Sequence, residues 1–153
     1  MFKKGMAGLI AAVCLAACSA CALPFGNTTE EVSVSFTEEV KVATVESKSE
    51  NAVAIRVLEE TDAKLLAVMQ DLQADGQLTF TKDGQGMITS VNGKKNAADW
   101  SACWMLYTSD TELSSTEWGS YDYNGKTLGS ASFGANDMPV KKGEVYVWVY
   151  TSF

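Results

Sequence analysis

Hydrophobic residues in this chain fall into two periods. From Ala52 the pattern alternates, with Val53, Ile55 and Val57 on one face and Ala54, Arg56 and Leu58 on the other. A period of two predicts a strand. The period then lengthens, as Leu65, Met69 and Leu72 recur at i, i+4 and i+7 with Leu66 beside them. That is one apolar stripe of a helix. Glu59-Glu60-Thr61-Asp62 reads as its start, since Thr61 or Asp62 can cap and the acids face the positive end of the dipole. Gly76 reads as its end.

The remainder reads as β. Leu78-Thr79-Phe80-Thr81 runs into the turn signal Asp83-Gly84. Met87-Ile88-Thr89-Ser90-Val91 runs into Asn92-Gly93, the preferred dipeptide of a two-residue type I′ hairpin. Cys103-Trp104-Met105-Leu106-Tyr107 is a continuous apolar run, as in a strand covered on both faces. Ser109 to Gly143 is polar and turn-rich, with Asn124-Gly125 a further hairpin signal, and reads as a long loop. In Val145-Tyr146-Val147-Trp148-Val149-Tyr150 the valines share one face and the aromatics the other. No internal repeat is present. The fold expected is α+β: one helix packed on a small mixed β-sheet, β-grasp-like, with a long loop before the last strand.

The N-terminus has a different pattern. Lys3 and Lys4 precede an uncharged run from Met6 to Ala17, about 12 residues long. Such a run suits a signal-peptide core and is too short to cross ~30 Å of hydrocarbon. It ends in Leu15-Ala16-Ala17-Cys18. This resembles the lipobox of bacterial lipoproteins, in which the cysteine thiol takes a diacylglycerol and the chain is cut just before it. The reading is a signal peptide at 1–17, a lipidated Cys18 and a tether over 18–51, and a folded domain over 52–153. The competing reading is an ordinary secretory signal cut near Ala20 or Ala22. The tether is rich in acids, Ser and Thr. It alternates at Val32-Ser33-Val34-Ser35-Phe36 and at Val40-Lys41-Val42, so a strand is open there, although acid-rich stretches of this kind often stay mobile.

Composition narrows the chemistry. Of the 153 residues, 46% are hydrophobic, enough to build a core. The net charge is −7, and loss of Lys3 and Lys4 with the signal takes it to −9. That balance opposes nucleic acid and anionic headgroups, so membrane contact is expected through the lipid alone. There is no histidine, which removes Ser-His-Asp and Cys-His catalysis and the commonest metal ligand. No nucleophile motif stands in its place, so no enzyme, catalytic residue or cofactor is expected. Asp99, Asp110, Asp122 and Asp137 show no metal-ligand spacing, and Asp83-Gly84-Gln85-Gly86 reads as a turn. Cys14 leaves with the signal, and a Cys21–Cys103 disulfide is open outside the cell.

Three stretches in order carry a family resemblance. They are Gly86-Met87-Ile88-Thr89-Ser90-Val91-Asn92-Gly93-Lys94, then Trp104-Met105-Leu106-Tyr107, then Lys142-Gly143-Glu144-Val145-Tyr146-Val147-Trp148-Val149-Tyr150, with Leu65-Leu66 ahead of them. From Leu65 to Phe153 the chain resembles the transcobalamin-like C-terminal domain, known in bacteria as a domain of unknown function. The resemblance implies a β-rich domain of the kind that forms the smaller half of vitamin B12 carriers, where cobalamin lies between it and a helical barrel. It implies ligand contacts from Trp104, Met105 and Leu106. This chain carries no such barrel, and its 109–143 segment is longer, with Trp118, Tyr121 and Tyr123. A binding domain of this type then needs a second binding protein for tight affinity.

Two functional readings stay open. The first is a lipid-anchored binding domain on the extracytoplasmic face of the cell membrane, for cobalamin or another corrinoid-like small molecule. The second is a structural or adhesive cell-surface module that binds protein or glycan. Trp104 to Tyr107 suit a ligand surface or a core. Tyr146, Trp148 and Tyr150 suit a stacking platform or the floor beneath a covering loop.

Overall fold

The computed structural model describes residues 7–12 and 33–153, which divide into two compact units, the second beginning at Lys41. In the first unit β1 (Ala7–Ala12) pairs antiparallel with β2 (Ser33–Glu38). The lipobox-like Leu15 to Cys18, and Cys21 of the open Cys21–Cys103 disulfide, lie outside the described residues.

The second unit contains β3 (Ala43–Lys48), β4 (Ala52–Val57), α1 (Leu65–Ala74), β5 (Phe80–Lys82), β6 (Ile88–Val91) and β7 (Lys94–Lys95). It continues with β8 (Ala102–Thr108), β9 (Ser114–Tyr123), β10 (Lys126–Ala131) and β11 (Val145–Ser152). The main sheet has six strands in the order β3-β4-β11-β8-β10-β9, and β5-β6-β7 form a small second sheet. Every ladder is antiparallel.

This corrects the expected α+β, β-grasp-like fold on a mixed sheet: the unit is mostly β, with one helix among the described residues. The main source of the difference is 109–143, which is not one long loop. Asn124 and Gly125 take φ of 51° and 75° and close the β9–β10 hairpin as a two-residue turn. β9 was hidden because its exposed positions are polar apart from Trp118, so no hydrophobic run marks it. The sheet also takes in β3, which lies inside the segment read as tether, as its other edge.

The helix starts later than the capping pattern predicts. Its N-cap is Lys64, with no side-chain cap. The first turn is satisfied from elsewhere in the chain: Leu65 N–H donates to the Met138 carbonyl at 2.9 Å and Leu66 N–H to Ala135 at 2.8 Å. At the other end Gly76 takes φ 73°, Gly76 N–H bonds Gln73 O and Gln77 N–H bonds Leu72 O. That is a Schellman closure.

The two faces of the main sheet bury two clusters. On one face Val53, Ile55, Val57, Trp104, Leu106, Tyr146 and Trp148 pack with Leu65, Met69 and Leu72 of α1, Ile88 and Val91 of β6, and Ala135, Met138 and Val140. On the other, Ala54, Tyr107, Val145 and Val147 pack with Leu128, Met105, Tyr121 and Tyr123. The alternation of valine and aromatic along β11 is thus the division between the two clusters.

Candidate functional site

β8 and β11 are neighbours, with Leu106 opposite Trp148 and Trp104 opposite Tyr150. Opposed residues of an antiparallel pair share a face, so these four side chains project together. Over Trp104, Leu106 and Trp148 the β5–β6 turn and the 132–137 segment wall an open cleft of about 400 Å³. Its walls are Trp104, Leu106 and Trp148 from the sheet, Met87 and Ile88 from the turn, and Ser130 to Asp137.

Trp104 is held from several sides. Its Nε1–H donates to the Lys94 carbonyl at 2.8 Å, and its backbone N–H donates to Asn96 Oδ1 at 2.9 Å. Tyr150 meets its ring edge-on at 5.4 Å between centroids. Tyr150 is itself fixed by a bond from its hydroxyl to Lys95 O and by Lys94 Nζ, 4.3 Å from its ring centre. The β6–β7 hairpin that supplies these carbonyls turns on Asn92 and Gly93, at φ 48° and 82°.

Trp148 differs. It is 5% exposed and lines the cleft, yet its Nε1–H is buried with no partner among the described residues. A buried N–H without an acceptor costs about 1–3 kcal/mol.

The rim is apolar and exposed. Met87 is 48% and Phe133 46% accessible. Met87 is presented by a tight turn in which Asp83 Oδ1 accepts from the N–H groups of Gln85 and Met87 at 2.8 and 2.9 Å. Gly86, at φ 89°, lets this turn approach the 132–137 segment: a Cβ there would lie 3.2 Å from Asn136.

The three residues that the resemblance picks out are divided by the pleat. Trp104 and Leu106 face the cleft, whereas the Met105 side chain packs against the opposite cluster. The aromatic face of β11 is a floor beneath a cover, formed by α1 and the stretch from Ala135 to Val140. Of Trp118, Tyr121 and Tyr123, the two tyrosines pack against the second cluster and Trp118 stands apart from them. Tyr121 lies 5.9 Å from Tyr107 in the second cluster. Burial and the Glu46 carboxylate push the Tyr123 hydroxyl pKa up, and Trp118 points outward, 65% exposed. Cys103 is a free, half-buried thiol whose pKa burial raises.

A second polar cluster supports the cover. Asp110, 3% exposed, receives Lys141 Nζ at 2.9 Å, and Glu112 shares that ammonium. Both carboxylates raise the Lys141 pKa, Glu112 the more.

Sequence reasoning missed Met87 and Phe133 as rim residues and Trp148 as an unpaired donor. For Phe133 a signal exists, a lone aromatic between Ser132 and Gly134 in a polar stretch. For the Trp148 donor there is none, because pairing is a property of the assembled site. Comparison of the chain with family models, with curated proteins and with solved structures returned no match.

Proposed function

We propose that this protein is a lipid-anchored, extracytoplasmic binding domain without enzymatic activity, whose cleft holds cobalamin or another corrinoid-like small molecule. The observation that carries the reading is the cleft over Trp104 and Leu106, on the strand whose residues the transcobalamin-like resemblance assigns to ligand contact, and over Trp148 of the neighbouring strand. Its aromatic and aliphatic floor, mixed with polar side chains from Ser130 to Asp137, and its volume are those of a small-molecule site. A corrinoid is larger than about 400 Å³, so this cleft covers one side of it. The other side is left to a second binding protein, and isolated affinity is then weak.

The test is a titration of the full chain in detergent with cobinamide and cobalamin, followed by tryptophan fluorescence with inner-filter correction. Saturable quenching is expected. Phe133→Ala and Met87→Ala should each weaken it several-fold and leave the melting midpoint nearly unchanged, because both side chains are half exposed. Trp104→Ala is the wrong probe, since loss of this anchored side chain costs about 3–5 kcal/mol of stability. Absence of saturation to millimolar ligand, alone and with candidate partners, would overturn the corrinoid reading. Weight would pass to a surface module that binds protein or glycan, for which the exposed Trp118 on edge strand β9 is the supporting observation.

A further inference from the structure

The β7–β8 loop holds a residue that its backbone does not suit. Ala97 N–H donates to the Ala102 carbonyl at 2.8 Å and closes the loop. Trp100 N–H donates to the Ala97 carbonyl at 3.0 Å, making a turn across Ala98 and Asp99, and Trp100 itself takes φ 61°. In this left-handed region a Cβ crowds the backbone, so glycine and asparagine are the usual occupants. Every other positive φ among the described residues falls on one of those two. Core packing does not account for the tryptophan, since Trp100 is 52% exposed and belongs to neither buried cluster. A bulky side chain kept in a strained, exposed position points to a contact outside the fold.

The neighbours of Trp100 define the chemistry of that contact. Phe153 N–H donates to Ser101 O at 2.9 Å and Tyr150 N–H to Asn51 O at 2.8 Å, so the loop, the end of β11 and the β3–β4 turn lie at one end of the sheet. Asp99 is fixed there: its Oδ1 accepts from the Ser101 hydroxyl at 2.7 Å and from the Ser101 N–H at 3.1 Å, and these bonds lower its pKa. Lys94 reaches Asn51 and Glu50. Carboxylates and ammonium groups thus stand together beside an exposed indole, and the surface offers acceptors and donors without a strong charge of either sign. A stable protein interface takes about 800 Å² from each partner. At this end only Trp100 and Phe153 are large, apolar and exposed among the described residues. A saccharide ring is a closer match, because its hydroxyls donate and accept while its C–H face is flat and apolar. We infer that Trp100 is a carbohydrate-contact residue, whose indole stacks on the C–H face of an uncharged pyranose chain while the Asp99 carboxylate accepts from the sugar hydroxyls. This goes beyond the cleft reading and does not depend on it.

The experiment is a titration of the ¹⁵N-labelled full chain in detergent with cellohexaose and with chitohexaose, two β-linked pyranose chains. With at least one of them the Trp100 indole N–H signal should move and saturate, with a dissociation constant of about 1 mM or below. The Trp104 and Trp148 signals should stay in place. Trp100→Gly should weaken this binding by at least about tenfold. Glycine suits φ 61°, so the melting midpoint of that variant should hold or rise by a few degrees. Its affinity for cobinamide should match that of the unmodified chain, because Trp100 does not line the cleft. A midpoint lowered by more than a few degrees would make Trp100 a structural residue and overturn the inference. Movement of the Trp118 signal in place of Trp100 would overturn it too. Absence of saturation with both sugars overturns it and assigns the strained tryptophan to a protein partner. None of these outcomes touches the cleft reading, which falls only on its own titration with corrinoids.

Discussion

Tyr146 has no exposed surface, so its hydroxyl depends on partners inside the fold. It accepts from the Lys141 N–H at 3.0 Å and donates to the Pro139 carbonyl at 3.3 Å, joining β11 to the segment that covers it. Burial pushes its pKa up to about 12 from an ordinary 10.0; the Lys141 N–H works against the shift, and Asp110 and Glu144 work with it. A raised pKa means that the folded state holds this proton more tightly than the unfolded chain does. The stabilisation is therefore complete below pH 10, and it is lost as pH climbs from about 10 toward 12. Urea midpoints across that range should fall for the unmodified protein and fall less for Tyr146→Phe. Some decline should persist in the variant, because the Lys141 pKa is raised as well. At neutral pH the variant should lose about 1–2 kcal/mol, since Lys141 N–H is left without its acceptor. Equal pH slopes for the two proteins would remove Tyr146 as the source. The sequence marks Tyr146 as one of an aromatic row, but Pro139 and Lys141 become its partners only when 132–140 folds back across the sheet.

Among the elements, the β9–β10 hairpin had the largest influence on the architecture and was the least legible. The register between its strands shifts after Gly129, where Gly129 opposes Ser120 but Ser130 opposes Ser115. A Cβ on Gly129 would stand 3.0 Å from the Ser114 side chain and 3.0 Å from the backbone of Ser115. Backbone cannot step aside cheaply, so Gly129→Ala should destabilise by about 1–3 kcal/mol in thermal or urea unfolding. Gly93→Ala is the contrast: its Cβ meets nothing within 4 Å, and only the positive φ of 82° is penalised, by about 1 kcal/mol. If the two variants lose the same stability, close approach at the bulge is not what Gly129 provides. Legibility followed burial. β4, β8 and β11 are interior strands, and their hydrophobic residues announce them; α1 was read from its stripe. β9 is an edge with Thr116, Glu117, Ser120 and Asp122 exposed, so it resembles a loop. The helix start was misplaced for a related reason, as its caps are the carbonyls of Ala135 and Met138, about seventy residues away in the chain.

For the whole molecule, the sheet order explains why cleft and core belong to one cooperative unit. Trp104 and Leu106 alternate along β8 with Met105 and Tyr107, and Tyr146 and Trp148 alternate along β11 with Val145 and Val147, so both clusters hang from the same two strands. Neither face can melt without exposing the backbone of the other, and tryptophan fluorescence and far-ultraviolet dichroism should report one transition. The chain is acidic, and no described helix is long and apolar enough to cross a bilayer. The attachment proposed here is a lipid on Cys18, at the end of the lipobox-like stretch Leu15 to Cys18. A single acyl chain binds only marginally, whereas two or three hold firmly. Cys18→Ala removes the thiol that would take them and leaves the hydrophobic core of the signal intact. Expressed in a bacterium, the unmodified chain should incorporate labelled palmitate and sediment with membranes. Cys18→Ala should incorporate none and, where the signal is left uncut, remain as a larger precursor. Palmitate on the Cys18→Ala variant, or none on the unmodified chain, would exclude Cys18 as the anchor.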